Sequence, residues 1–185
     1  LADVRVHSVR SRGGEIEVRT GQGHYTANDL VVAAGPLTNP VLDRFGLRLP
    51  LEVTKEQAMY FSPSDPAAFT IGRFPIWIWM DDPSFYGFPV FGERDAVKVT
   101  QDAGGKRVDA STRGFDPDPE ITERVRAFLA SHLPSAGTEA RLIKTCLYTL
   151  TPDRDFIIDA LPEHPNVHLV VGAGHAFKFA LSLIH

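Results

Sequence analysis

Short strand-like segments dominate this sequence and restrict its fold more than any other feature. Apolar and charged residues alternate over residues 4–9 and 15–19, and a Gly13-Gly14 turn separates the two segments. This pattern predicts an antiparallel hairpin. The apolar run 30–35 predicts a buried parallel strand, because a strand covered on both faces carries no polar side. A short helix over residues 39–45 is expected to follow it.

One longer helix interrupts the strands. Asp118 is a suitable N-cap, Pro119 suits the first helical turn, and Pro134 ends the segment. Apolar residues recur between these limits at helical spacing, which predicts a helix with one buried face. The remaining segments that resemble strands are residues 24–27, 52–61, 75–80, 85–91, 96–101, 140–148, 156–159 and 167–171.

These elements together predict an α+β fold. We expect an antiparallel-sheet domain flanked by parts of an α/β domain, with both ends of the chain cut. The segment 76–80 is apolar throughout and carries Trp77 and Trp79. Such a strand either lines a pocket or packs in a core or interface, and the second alternative is the more common one.

Composition excludes several classes of protein. The chain has 185 residues, 43% of them hydrophobic, with twelve Phe, which supports a buried core. A net charge of -4 argues against a nucleic-acid-binding protein. No apolar stretch approaches the roughly 20 residues that cross a bilayer. Cys146 is the only cysteine, so no internal disulfide forms and an intracellular, cytoplasmic location is expected.

The surroundings of Cys146 are more specific than the cysteine itself. A lone cysteine in an apolar strand is usually inert packing. Here it begins the pattern Cys-x-Tyr-Thr-x-x-x-Asp-x-x-Phe-Ile-Ile-Asp, which ends at Asp159. Tyr148 follows two residues later, so both side chains face the same side of a strand. A cysteine thiolate is a nucleophile that can form a covalent bond to a ligand.

A glycine-rich turn lies near the C-terminus, in Gly172-Ala173-Gly174-His175. It does not fit a dinucleotide fingerprint, because Phe177 occupies the third glycine position and no acidic residue follows about 20 positions later. The turn instead predicts a helix N-terminus that favours negative charge. Lys178 in the first turn opposes the helix dipole, so a ligand-binding role explains it better than helix stability.

Both segments resemble the covalent-flavin amine oxidases, the family of monomeric sarcosine oxidase and N-methyltryptophan oxidase. The resemblance spans nearly the whole chain and implies FAD as cofactor and oxygen as electron acceptor. It also implies oxidation of a secondary amine in an N-alkyl amino acid to an imine, which water hydrolyses. The implied cofactor contacts are Gly35, Cys146, Gly172, Gly174, His175 and Phe177, and the implied catalytic residues are Tyr86, Lys98, Tyr148 and Lys178.

The resemblance assigns a role to several of these residues. Cys146 tethers FAD, Lys98 activates oxygen, Lys178 binds the substrate carboxylate, and Tyr86 and Tyr148 shape the pocket. Read without the resemblance, each of the two lysines is an ordinary solvated side chain. Relatives carry histidine four positions after the oxygen-activating lysine, where this chain has an aspartate, Asp102.

The resemblance further implies a division into domains. Residues 1–45 correspond to part of an FAD-binding domain, residues 46–140 to a substrate-binding domain, and residues 141–185 return to the FAD-binding domain. No Gly-x-Gly-x-x-Gly turn for the ADP half of FAD occurs in the sequence. We therefore predict that these 185 residues alone do not assemble a competent oxidase.

Three alternatives belong to other functional classes. A non-catalytic binding or interaction module with the substrate-domain fold is consistent with the missing glycine turn. Hydrolysis is disfavoured because no Gly-x-Ser-x-Gly elbow occurs, and the seven histidines form no motif that predicts a metal site. Substrate identity stays open among sarcosine, N-methyltryptophan, pipecolate and glycated amino acids. A bulky substrate would be favoured if Trp77 or Trp79 lined the pocket.

Overall fold

The structure is a computed structural model that describes residues 3–172, 174 and 176–179, without the side chains of Phe177 and Lys178. It has two α-helices, α1 (Thr38–Leu42) and α2 (Pro119–His132). The strands are β1 (Val6–Arg12), β2 (Glu15–Thr20), β3 (Gly23–Ala27), β4 (Leu30–Val32), β5 (Glu52–Phe61), β6 (Trp77–Trp79), β7 (Phe85–Phe88), β8 (Val97–Gln101), β9 (Lys106–Arg107), β10 (Ala140–Leu150), β11 (Ile157–Leu161) and β12 (His164–Val171). Five 3-10 helices cover Gly35–Leu37, Asp43–Phe45, Pro66–Phe69, Pro134–Ala136 and Ala176–Phe179.

The chain divides into two compact units, and β10 continues from the second into the first. The first unit comprises Leu1–Val53 and Tyr148–His185, and the second comprises Thr54–Leu147. Within the described residues, no helix is both long enough and apolar enough to cross a membrane.

The first unit contains two three-stranded sheets. Strands β1, β2 and β3 form an antiparallel meander, which confirms the hairpin that the sequence predicts. In the other sheet, β12 pairs antiparallel with β11 and parallel with β4, where Leu169 lies opposite Val32. The parallel strand is therefore confirmed, but its expected burial on both faces is wrong. Val31 is 61% exposed, because β4 is an edge strand of this sheet.

The second unit is one sheet covered by one helix. The strand order is β10-β5-β8-β7-β6. The short strand β9 pairs with the N-terminal part of β5, at Thr54 and Lys55. The pairs from β5 through β6 are antiparallel. The core between this sheet and α2 contains Met59, Phe61, Phe85, Val97, Val99, Ile121, Val125, Phe128 and Leu129. The α+β prediction is thus confirmed.

Helix α2 begins as its sequence predicts. The carboxylate of Asp118 accepts a hydrogen bond from the backbone N–H of Glu120, which satisfies one free N–H of the first turn. The same carboxylate pairs with Lys106, at 3.0 Å from its Nζ. The predicted apolar stripe is the buried face of the helix. The predicted start of α2 and its predicted buried face are therefore both confirmed.

Both tryptophans of β6 contact the helix. The Trp77 ring stacks on Phe128 at 5.7 Å between centroids, and the Trp79 ring meets Phe128 edge-on at the same distance. A Cβ atom placed on Gly87 would lie 2.5 Å from the Trp77 ring, so this glycine provides the space for the indole. Both rings therefore pack against the helix, but Trp79 also stays 41% exposed, so the segment belongs only in part to the core.

Candidate functional site

Lys98 lies at the centre of the sheet in the second unit, on the face opposite α2. Its neighbours Val97 and Val99 are buried in the core, and side chains alternate along a strand, so Lys98 projects from the other face. Its Nζ lies 5.4 Å from the centroid of the Tyr86 ring and 5.2 Å from that of Phe88. The structure thus brings together two residues that the sequence predicts for one site, Tyr86 and Lys98.

The environment of Lys98 alters its acidity. Desolvation by burial lowers the pKa of the Lys98 ammonium group, and interaction with Cys146 opposes this shift. The two aromatic rings stabilise the cation in part, because the face of an aromatic ring is electronegative. A half-buried cation beside two rings is a group that can stabilise negative charge on a small molecule nearby.

Cys146 is exposed on β10 and lies within electrostatic range of three charged residues. Desolvation is the largest cause that raises the pKa of its thiol, and the negative charge of Glu56 raises it further. The positive charges of Lys98 and Arg113 act in the opposite direction. The net shift is upward, so the thiol is protonated at neutral pH.

Glu56 is a buried carboxylate that the sequence analysis did not identify as part of the site. It accepts a hydrogen bond from the Thr54 hydroxyl at 2.7 Å and from the Gly105 backbone N–H at 3.1 Å. A side chain at Gly105 would collide with the backbone carbonyl of Lys55, so this close approach requires glycine. In the sequence, the only indication of a role for Glu56 was that a charged residue lies within a strand. The groups that surround its carboxylate are determined by the strands that pair with β5.

Arg113 is a second residue that the sequence analysis missed. Its Nη1 is buried and has no hydrogen-bond partner in the described part of the chain. The guanidinium lies 4.4 Å from the centroid of the Phe115 ring. The Thr145 hydroxyl donates to the Phe115 carbonyl at 3.3 Å and so ties this loop to the residue before Cys146. The loop has no periodic pattern, and no sequence signal identified this arginine.

The first unit contains the predicted glycine turn. Gly174 has φ of 90°, and a Cβ atom there would lie 2.8 Å from the Tyr148 ring. A Cβ atom on Gly172 would collide with Ala176, whose N–H donates to the Gly172 carbonyl at 3.0 Å. Both glycines are therefore sterically required, and the Tyr148 ring lies against Gly174.

Gly35 and Gly172 lie at corresponding positions of one sheet. Gly35 follows β4 and Gly172 follows β12, and these two strands are parallel. The carboxyl ends of parallel strands meet at the same edge of a sheet, which is where open α/β sheets bind ligands. Gly35 has φ of 51°, a left-handed conformation that glycine adopts without strain.

The remaining predicted residues lie at the end of this segment. The backbone of Phe177 and Lys178 belongs to the 3-10 helix Ala176–Phe179, and their side chains are not described. His175 lies outside the described residues. The predicted roles of these three residues therefore stay predictions. No group of metal-binding side chains occurs among the residues that the structure describes.

The electrostatics of Cys146 can be tested by alkylation of its thiol. In flavin-free protein we expect the thiol to react slowly with iodoacetamide at pH 7. The alkylation rate should rise with pH, and the midpoint of this rise should lie above the ordinary thiol pKa of 9.0. Glu56→Gln removes a negative charge and should move the midpoint to lower pH. Lys98→Met removes a positive charge and should move it to higher pH.

A matched control for this experiment is Glu139→Gln, which removes an exposed carboxylate that is not among the charges acting on Cys146. We expect the control to leave the alkylation profile unchanged. Equal shifts for Glu56→Gln and Glu139→Gln would show that net charge, rather than the local arrangement, sets the acidity of the thiol.

The residues present fit a bound flavin. An exposed thiol is available for attachment, and a buried guanidinium nitrogen in the same unit lacks a partner. Each of these features is what a ligand with a broad ring system and polar edges would contact.

Comparison with known proteins supports the same chemistry. The profile of the FAD dependent oxidoreductase family matches residues 1–183. A monomeric sarcosine oxidase from Bacillus sp. (strain NS-129) is 31% identical, over 89% of this chain and 43% of the relative. An N-methyl-L-tryptophan oxidase from Yersinia pestis (strain Pestoides F) is 33% identical, over 99% of this chain and 48% of the relative. The chain therefore spans about half the length of these relatives.

Solved structures agree with the sequence comparisons. The open form of NikD, an unusual amino acid oxidase essential for nikkomycin biosynthesis, matches 95% of this chain and 47% of its own, with a TM-score of 0.79 and 27% identity. L-proline dehydrogenase from P. horikoshii shares the fold, with a TM-score of 0.79 at 20% identity. The resemblance to the sarcosine oxidase and N-methyltryptophan oxidase family is confirmed, and this chain belongs to the FAD dependent oxidoreductase family.

Proposed function

We propose that the protein carrying this chain oxidises the C–N bond of a secondary amine in an N-alkyl amino acid, with oxygen as electron acceptor. The observation that supports this most directly is Lys98, a half-buried cation that lies beside two aromatic rings and within electrostatic range of Cys146. The sarcosine and N-methyl-L-tryptophan oxidases among the relatives support the substrate class. The single cysteine favours a cytoplasmic location.

A flavin, when bound, would supply the two-electron redox chemistry, and the residues of this chain would hold it and orient the amine. Cys146 would hold the cofactor through a thioether. Lys98 would stabilise negative charge that develops on oxygen, because a fixed cation in a partly desolvated site acts strongly on nearby charge. Tyr86 would border the substrate, since its ring lies beside the lysine.

The first unit would supply the other contacts. Lys178 would bind the substrate carboxylate, and Tyr148 would shape the pocket from its position over Gly174. Gly35, Gly172, His175 and Phe177 would border the flavin.

The substrate is not required to be large. Trp77 and Trp79 pack against α2, so neither ring supplies an argument for a bulky aromatic substrate. Asp102 follows Lys98 by four residues and is half-buried. We propose that this carboxylate is one reason for a substrate preference different from that of relatives with histidine at this position.

The proposal is tested by the colour and activity of the full-length protein. We expect a yellow protein that produces peroxide from sarcosine or another N-methyl amino acid. After denaturation in acid, the yellow colour should stay with the polypeptide. In Cys146→Ser the colour should pass to the supernatant, because serine at this position cannot form the thioether.

Two outcomes would contradict the proposal in different ways. A full-length protein without flavin absorbance would favour the non-catalytic binding module. If the unsubstituted protein is yellow but releases its flavin on denaturation, the oxidase proposal would stand. The covalent role of Cys146 would then be wrong.

A further inference from the structure

A concave pocket of about 320 Å³ lies in the second unit, on the helix side of the sheet. It is formed where the turn after β6 meets the last turns of α2. Lys98 projects from the opposite face of the same sheet, so this pocket does not belong to the candidate flavin site. The side chains that matter for its chemistry are Trp79, Asp81, Asp82, Phe128, Ser131 and His132.

Aromatic rings form the apolar part of the pocket. The Trp79 ring lies 4.7 Å from the His132 ring and meets Phe128 edge-on at 5.7 Å. Phe128 and His132 are stacked at 4.7 Å between centroids. Trp79 stays 41% exposed although it contacts both rings. An exposed indole beside stacked rings is a surface that attracts cations.

Two carboxylates form the polar side of the pocket. Asp81 and Asp82 are both exposed, and neither forms an ion pair with a residue that the structure describes. One oxygen of Asp81 accepts a hydrogen bond from the backbone N–H of Asp82. No lysine or arginine lines the pocket. The pocket is therefore negatively charged.

The other polar side chains of the pocket also present acceptors. The Nδ1–H of His132 donates to the Phe128 carbonyl at 3.2 Å, because a carbonyl oxygen can only accept. In the neutral ring, Nε2 is then left with a lone pair. The Ser131 hydroxyl donates to the Ala127 carbonyl at 3.0 Å, which leaves its oxygen as an acceptor. A ligand that donates hydrogen bonds and carries positive charge complements these acceptors and the two carboxylates.

We propose that this pocket binds a small organic ammonium ion, whose charge contacts the aromatic rings and whose N–H groups donate to Asp81 and Asp82. The pocket is shallow and open to solvent, and its volume of about 320 Å³ limits the ligand to a small molecule. The inference does not depend on the proposed oxidase, since no residue named for the flavin or for oxygen lines the pocket. Binding is expected to weaken with salt, because both carboxylates are exposed.

The test uses full-length protein with its flavin and follows binding by NMR, through the indole N–H of Trp79 and the ring of His132. Butylammonium chloride should shift both signals saturably, with Kd of roughly 1 mM, which corresponds to about -4 kcal/mol. Butanol, a neutral molecule of similar size, should not. Raising the salt from about 20 to about 200 mM should weaken butylammonium binding several-fold.

The decisive variant is Asp81→Asn/Asp82→Asn, which removes the charge and keeps the side-chain shape. We expect Kd for butylammonium to rise at least ~10-fold. The control Glu123→Gln/Glu139→Gln makes the same change of net charge with exposed residues outside the pocket, and should change Kd less than ~2-fold.

Several results would overturn the assignment. These are the absence of a saturable shift, equal shifts with butanol, or equal weakening by the two double variants. A lysine-containing peptide that binds far more tightly than butylammonium would overturn the assignment to a small ion, because the pocket would then recognise a protein side chain. None of these readouts requires turnover, so failure of the oxidase proposal is distinguished from failure of this one.

Discussion

Replacing Lys98 with methionine is expected to slow the reaction of the reduced flavin with oxygen by about 100- to 1,000-fold, the usual cost of removing one group that stabilises developing charge. Methionine keeps most of the side-chain volume beside the Tyr86 and Phe88 rings while it removes the cation. Anaerobic reduction of the flavin by substrate should change much less. Stopped-flow measurement of the two half-reactions separates these effects.

The pH dependence gives a second readout for the same residue. Desolvation lowers the pKa of Lys98, so the cation is lost at a lower pH than for an ordinary lysine, whose value is 10.5. The charged form is the active one in this proposal. The rate with oxygen should therefore fall as pH rises through the lowered pKa, and Lys98→Met should lack this fall.

Lys55→Met is the matched control, because Lys55 lies on the same sheet, its Nζ donates to the Asp116 carbonyl at 3.0 Å, and it is not among the charges that act on Cys146. We expect this variant to react with oxygen at the normal rate. Equal slowing of both half-reactions in Lys98→Met would instead indicate a distorted site and would remove its specific role with oxygen.

The largest effect on stability is expected for Phe128→Ala, which should lower the free energy of unfolding by about 3–5 kcal/mol. Phe128 is buried and contacts Trp77, Trp79 and Phe85, with the Phe85 ring stacked at 4.3 Å. Its removal leaves a cavity between the sheet and α2. The melting temperature should fall by roughly 10 °C for a chain of this size.

Phe91→Ala provides the control, since Phe91 is 69% exposed and loses little buried surface on truncation. Its effect should stay within about 0.5 kcal/mol. Thermal unfolding followed by circular dichroism measures both variants. If the two substitutions cost the same, the aromatic cluster around Phe128 would not be a principal source of stability.

Local patterns in the sequence were sufficient for several elements. The cap at Asp118 and the apolar stripe of α2 depend on residues within a few positions of each other, and the structure confirms both. The first hairpin is confirmed for the same reason. The resemblance to the family was recognised from the residue pattern between Cys146 and Asp159, because a pattern of this length rarely recurs by chance.

Burial and proximity across strands were decided only by the tertiary structure. The apolar run at Val31 predicts burial, yet β4 is an edge strand and this side chain is exposed. Trp77 and Trp79 suited either a pocket or a core, and the register of β6 places both rings against α2. Periodicity gives the side of a strand, but the neighbouring element determines what that side contacts.

The sequence by itself determined the family and the α+β class. The tertiary structure determined which charges surround the predicted site residues. Glu56 and Arg113 lie far from Cys146 in sequence, yet both act on its thiol. The acceptor-lined pocket beside Trp79 likewise joins the turn after β6 with the end of α2. Such groupings depend on long-range packing, because electrostatic and hydrogen-bond partners are chosen by distance in space rather than along the chain.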